Sequence, residues 1–283
     1  MFELKIKNSR GELFELTHNP AYYVIGVDGL SYPSTTINTS IAGIVDGTFY
    51  NSSRVDMRNL VITLVINDNV EVNRQQLYRI FNLKKPITVY FKNKNRDVSI
   101  EGYVETLECD LFSMREQAQI SILCPRAYFA DMNIIEEEMS KVVSGFEFPF
   151  SIAFNSPIPI SEIVENPVVT INNRGDAETG FVMEIEFGNY ISGFKLINTT
   201  TQQFMQFTYM FDNGDTLVID TRTGQKKCEL IRAGVTTNMM TWLTTDSTWL
   251  TLDYGDNDFT FTVDAHEDAV KVHFYATPLY GGV

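Results

Sequence analysis

Cysteine is scarce. The three in 283 residues, Cys109, Cys124 and Cys228, share no short spacing, so neither a disulfide framework nor a thiolate metal knuckle is expected. The three histidines, His18, His266 and His273, are too distant in sequence to complete a tetrahedral zinc site with them by any standard spacing. Free thiols suit a reducing cytosol. Positive charge is also scarce: 22 Lys and Arg stand against 36 Asp and Glu, a formal net charge of −14. A protein that binds nucleic acid through counterion release needs clustered cations. The only basic pairs here, Lys84-Lys85 and Lys226-Lys227, read as solvated turns. Long apolar runs are missing as well. The longest, residues 60–66, is broken by Thr63, against about 20 residues for a helix that crosses a bilayer. No membrane span is expected. The first residues alternate charged with apolar side chains, so a secretion signal is not expected either.

Catalytic signatures are equally thin. No G-x-S-x-G elbow occurs, since Gly29-Leu30-Ser31 continues into Tyr32-Pro33. His266-Glu267 opens like a zinc-protease helix, but Val270 occupies the second ligand position. Glu108 and Asp110 share a strand face, which a glycosidase pair could use, yet two solvated carboxylates there are commonplace. Asp253, Asp256 and Asp258 depart from the order of a calcium loop and read as a polar hairpin turn. No catalytic residue, cofactor or metal is expected. Trp242, Trp249 and Tyr254 form a candidate sugar-stacking platform, with core packing the favoured reading. The sequons at Asn38, Asn51 and Asn198 carry no weight without a secretion signal.

What the chain does have is apolar and aromatic content, 44% and 12%, in a length that suggests two domains at about 150 residues each. Strand patterns dominate, and the fold class is mainly β. Residues 2–7 alternate, turn at Ser9-Arg10-Gly11 and return through 13–16 as a hairpin. Further strands are expected at 22–27, 41–45, 58–66, 87–92, 98–110 and 118–124. Asn73 with Gln76 resembles a capping box, and Leu77, Ile80 and Phe81 share a helical face, which predicts a helix over 73–82. Residues 133–145 fit either a helix or an extended linker. Over 146–154 every even position is apolar, with Pro149 inside, as in an edge strand or an interdomain connector. Beyond Val168, short strands with turn signals predict a β-sandwich, including a hairpin over 216–231. The expected division is a first domain at 1–130, a linker at 131–160 and a sandwich at 161–283. Charge divides too: residues 1–135 carry 14 basic and 15 acidic side chains, and the remainder 8 and 21, so the net is −1 and −13.

Residues 30–50 stand apart. They are uncharged except for Asp46 and lack a core pattern. Such a two-stranded excursion gains most by lying along a neighbour and burying Ile37, Ile41, Ile44 and Phe49, with Tyr50 at its end.

Several segments together resemble one family. Residues 23–30 (YVIGVDGL), Asp46-Gly47 ahead of Ser53-Arg54, Arg58 opening an apolar strand, residues 77–81 (LYRIF), 100–105 (IEGYVE) and 120–125 (ISILCP) are similar to the N-terminal domain of siphophage distal tail proteins. Phe146-Glu147-Phe148-Pro149 resembles their interdomain segment. Asn173-Arg174-Gly175-Asp176, residues 214–221 (GDTLVIDT) and 247–252 (STWLTL) with Gly255-Asp256-Asn257 resemble their galectin-like sandwich. Tyr254 departs from the proline expected before that glycine. The resemblance implies a barrel-like ring domain with one helix and a protruding hairpin, followed by a galectin-like sandwich. It also implies a structural role in the virion after synthesis in the host cytoplasm. The assembly would be a homohexameric ring at the tail tip that joins the tail tube protein to the tail-associated hub and receptor-binding proteins, with residues 30–50 as a belt to the next subunit. DNA would be passing cargo only. The alternative reading is a carbohydrate-binding sandwich that recognises a host surface.

Overall fold

The computed structural model describes residues 2–41, 43, 46–140, 142–144, 161–163 and 167–283, with backbone alone at 142–144 and 161–163. Two units result, one from Met1–Asn133 with Leu279–Val283 and one from Ile134–Pro278. In the first lie β1 (Glu3–Lys7), β2 (Leu13–Glu15), β3 (Tyr22–Asp28), β4 (Thr35–Ser40), β5 (Phe49–Val55) and β6 (Arg58–Ile66). Helix α1 (Val70–Ile80) follows, then β7 (Pro86–Lys92), β8 (Asp97–Cys109), β9 (Gln117–Cys124) and β10 (Phe129–Asp131). The second unit holds β11 (Ile135–Ser140), β12 (Val142–Ser144), β13 (Ser161–Ile163), β14 (Val168–Asn173), β15 (Phe181–Phe187) and β16 (Ile191–Asn198). It continues with β17 (Gln203–Phe211), β18 (Asp215–Asp220), β19 (Lys227–Arg232), β20 (Val235–Asn238), β21 (Gly255–Thr262) and β22 (Val270–Ala276). Strand β23 (Leu279–Tyr280) returns to the first unit.

Period-two alternation builds the first unit's main sheet, ordered β2-β1-β7-β8-β9-β6-β3, with β10 pairing β8 and β23. Among the described residues this ladder runs from β2 to β3 without closing. Its inward positions, such as Leu60, Ile62, Leu64 and Ile66 on β6, form one core with Leu77, Ile80 and Phe81 from α1. The helix starts earlier than the capping box at Asn73 predicts. Asn73 Nδ2 instead donates backward to the carbonyls of Asn67 (2.9 Å) and Asp68 (2.8 Å), tying the loop ahead of the first turn. Asn69, at φ 29°, occupies the N-cap without a side-chain bond. Of the strand expected at 41–45, residues 42, 44 and 45 lie outside the described residues. The described strand is Thr35–Ser40, and Ile41 lies beyond its end.

The second unit is a sandwich of a six-stranded sheet, β11-β22-β15-β18-β19-β20, and a four-stranded sheet, β14-β21-β16-β17. Eight buried phenylalanines from both sheets fill it. Phe187 stacks on Phe211 at 4.1 Å, and Phe181 meets Phe259 edge-on at 5.5 Å. Residues 135–140, which fit helix or linker, are strand β11, antiparallel to β22. The expected limits move accordingly. The second unit begins at Ile134, and Leu279–Val283 leaves it for the first. The alternating segment 146–154, with its family-like Phe146-Glu147-Phe148-Pro149, lies outside the described residues.

Asp215, buried at the start of β18, takes a two-pronged contact from Arg232 (Nε to Oδ1 2.8 Å) and the backbone N–H of Asp212 (2.8 Å). Burial alone raises its carboxyl. The Arg232 and Asp212 hydrogen bonds outweigh that and hold it below the ordinary 3.8. A depressed carboxylate stabilises the fold above its unfolded value, and the contribution is lost as pH falls through the folded value. Asp215→Asn is therefore expected to lower the urea midpoint at neutral pH and to flatten its decline below about pH 4. Urea titrations across that range check both.

Candidate functional site

Among the described residues, strands β4 and β5 pair only with each other, and nearly every residue on them is exposed. Ile37 is 62% exposed, Ile41 80%, Phe49 57% and Tyr50 65%. Ile44 lies outside the described residues. The structure does not gather these side chains on one face. Ile37 faces Ser53 and Thr39 faces Tyr50, with a bulge between Asn38 and Thr39. Tyr50 Oη lies 2.8 Å from Ser53 Oγ. Ile37 and Tyr50 thus share one face. Phe49, opposite Ser40, sits on the other with Asn38 and Ser52. The hairpin is apolar on both sides, so a single covering surface cannot bury it.

Below the strands, Asp56 N–H bonds to Ser34 O (2.9 Å), and Thr36 Oγ1 donates to Asp56 Oδ2 (2.7 Å). The excursion therefore ends at residue 56, later than the expected 50, and residues 29–32 belong to its neck. There the structure buries a side chain that the sequence marked only as the opening of an apolar strand. Arg58 is 1% exposed, and its guanidinium donates to four backbone carbonyls. They are Ala127 (2.8 Å), Ser31 (2.6 Å), Gly281 (2.6 Å) and, very closely, Gly29. The group also lies over the Phe129 ring at 4.3 Å. A signal was present: Arg58 has the same even parity as Leu60, Ile62, Leu64 and Ile66. Phe112, 99% exposed at the β8–β9 turn, is one that sequence reasoning missed.

The other candidates are dispersed. Trp242 packs edge-on against Tyr209 at 5.0 Å, Trp249 lies under Lys226 at 5.3 Å, and Tyr254 is exposed beside β21. No ring contact joins any two of these three among the described residues. Asp256 and Asp258 lie on β21 and not in the expected turn: across the β14–β21 ladder Asp256 accepts from Asn172 Nδ2 and Asp258 from Thr170 Oγ1. Among the described residues, no three His, Cys, Asp or Glu side chains converge on a point. Burial pushes the Cys124 thiol up to about 11 and Cys228 up to about 12, so both behave as small core residues. The acidic excess of the second unit has a place: Glu138 and Glu184 flank His273, and Glu186 lies opposite Lys271, on the outer face of the six-stranded sheet.

A β-sheet unit with one helix and an exposed two-sided hairpin, followed by an all-β sandwich, defines a class of phage tail components. Residues 10–124 match the phage tail protein RIFT-related domain, and residues 174–277 match the siphovirus-type tail component, C-terminal domain. The chain belongs to the distal tail protein family of siphophages. The fold agrees with the crystal structure of the Dit protein (gp 19.1) of phage SPP1, described as a paradigm of the hub adsorption apparatus in phages infecting Gram-positive bacteria. The TM-score is 0.68 at 13% identity, over 99% of both chains. Chains of the phage p2 baseplate in its activated conformation are also similar. With Ca the TM-score is 0.51 at 10% identity, and with Sr 0.50 at 11%, over the full length of both chains in each case. Among curated proteins no sequence matches significantly. The matched families are structural, components of siphophage tails. Among the described residues no helix is long and apolar enough to cross a membrane.

Proposed function

We propose that the chain forms a homohexameric ring at the tail tip, joining the tail tube protein to the tail-associated hub and receptor-binding apparatus. The observation that carries this reading is the β4–β5 hairpin, apolar on both faces and exposed in the single chain. Burying each of its large side chains is worth about 1.5–3 kcal/mol, more than an isolated hairpin recovers on its own. In a closed heterologous ring each subunit gives one surface and receives on another, so one belt per subunit suffices. The near-neutral first unit limits repulsion between copies. Six chains of −14 each sum to about −84, and carboxylates facing a lumen would let DNA pass without sticking.

Light scattering of the purified chain is expected to report about 193 kDa, six times 32.2 kDa. A mass that stays at 32.2 kDa at high concentration, and in the presence of the adjoining tail proteins, overturns the ring.

A further inference from the structure

A guanidinium without a carboxylate partner is an expensive group to bury, and it persists where its geometry is needed. Among the described residues, the guanidinium of Arg58 hydrogen-bonds to backbone carbonyls and lies over the Phe129 ring. Those carbonyls come from three separate stretches. Gly29 and Ser31 lead out to β4, Ala127 precedes β10, and Gly281 follows β23. Arg58 itself opens β6, directly after the return leg from β5. One planar group therefore ties both legs of the hairpin neck to each other and to the segment 279–283.

That segment is tied from its other side as well. Val283 N–H donates to Leu30 O (3.1 Å), and β23 pairs with β10 through Phe129↔Tyr280. Tyr280 Oη donates to Asp131 Oδ2 (2.9 Å), and Arg96 lies over the Tyr280 ring at 4.3 Å while donating to the Gly282 carbonyl. Tyr32, in the outgoing leg, packs against Gly281. A Cβ there would sit 2.2 Å from the ring and push this exposed side chain aside.

We infer that Arg58 and residues 281–283 form a clamp that sets the direction of the β4–β5 hairpin, making Arg58 a positioning residue for the interaction surface. Among the described residues the hairpin has no sheet partner beyond its own two strands, so its orientation is decided at the neck. Arginine is required because four of its five N–H groups are engaged in a fixed planar fork. A lysine ammonium keeps the charge but offers three donors from one point. Residues 279–283 are made after the whole second unit, so the neck is completed late in synthesis and the hairpin is presented only by a chain that has reached them.

The clamp is read from the structure, and only its consequence for assembly rests on the ring proposal. The test uses full-length chains made monomeric by Ile37→Ser with Phe49→Ser, into which Arg58→Lys or Gly281→Val is added. Amide hydrogen exchange is followed at β4 and β5, with β7 and the sandwich strands as internal controls. Each addition is expected to speed hairpin exchange about ten-fold, the equivalent of roughly 1.4 kcal/mol, and to leave the controls unchanged. Unchanged hairpin exchange in both variants overturns the clamp. If Arg58→Lys loosens β7 too, Gly281→Val decides: hairpin-only loosening supports the clamp, and loosening of the whole unit overturns it. In the otherwise wild-type chain the same two substitutions are expected to reduce the hexamer fraction at least ten-fold. A wild-type chain that is monomeric while its hairpin still loosens sinks the ring and leaves the clamp standing.

Discussion

Deleting residues 37–48 is expected to move the mass of the particle from about 193 kDa toward 32.2 kDa, with the far-ultraviolet circular dichroism of both units almost unchanged. The two halves of that expectation have separate causes. Among the described residues, neither hydrophobic core contains a hairpin residue and β4 and β5 bond to no other strand, so their loss opens no cavity there. Assembly is different. Ile37, Ile41, Phe49 and Tyr50 are the apolar area that a neighbour would cover, about 6–12 kcal/mol per junction before the costs of ordering. Because Ile37 and Phe49 lie on opposite faces, Ile37→Ser and Phe49→Ser should each weaken the ring, and together more than either. A deletion variant that keeps the hexamer mass would remove the hairpin from the interface altogether.

The second large effect belongs to the sandwich. Phe181→Ala is expected to destabilise that unit by about 3–5 kcal/mol, since the ring is fully buried and meets Phe259 at 5.5 Å and Phe274 at 5.8 Å. Those three rings come from β15, β21 and β22, so the cavity would open between the two sheets, where neither can move in to fill it. Both tryptophans, Trp242 and Trp249, lie in the same unit, so intrinsic fluorescence reports its unfolding separately from the first unit. Guanidinium titrations should show the fluorescence midpoint falling by a large fraction of its value. A change under about 1 kcal/mol would mean that the two sheets are not held together by this aromatic cluster.

Local chemistry made much of this molecule legible. The β1–β2 and β18–β19 hairpins, and β6 to its first residue, follow from side chains that alternate with period two beside turn formers, and such patterns need no distant partner to be read. The stretch over residues 30–50, uncharged except for Asp46, was visible for the same reason, as one without a core pattern of its own. The start of α1 was misplaced because Asn73 can hydrogen-bond forward into a helix or backward onto a loop, and the sequence alone does not distinguish the two.

Residues 135–140 show the limit most clearly. Ile135 and Met139 are four apart, which suits a helix as well as a strand with glutamates between, and only pairing with β22 resolves the choice. The bulge after Asn38, which puts Phe49 on the face opposite Ile37, is a property of two strands in register and of neither alone. The pairing of β23 with β10 and the reach of Arg58 to Gly281 join positions more than a hundred residues apart. By itself the sequence determined which stretches are extended, which are apolar and which lack a partner, because those are properties of neighbours along the chain. Only the tertiary structure decided where each unmatched group finds its complement, because hydrogen bonds and packing depend on distance in space.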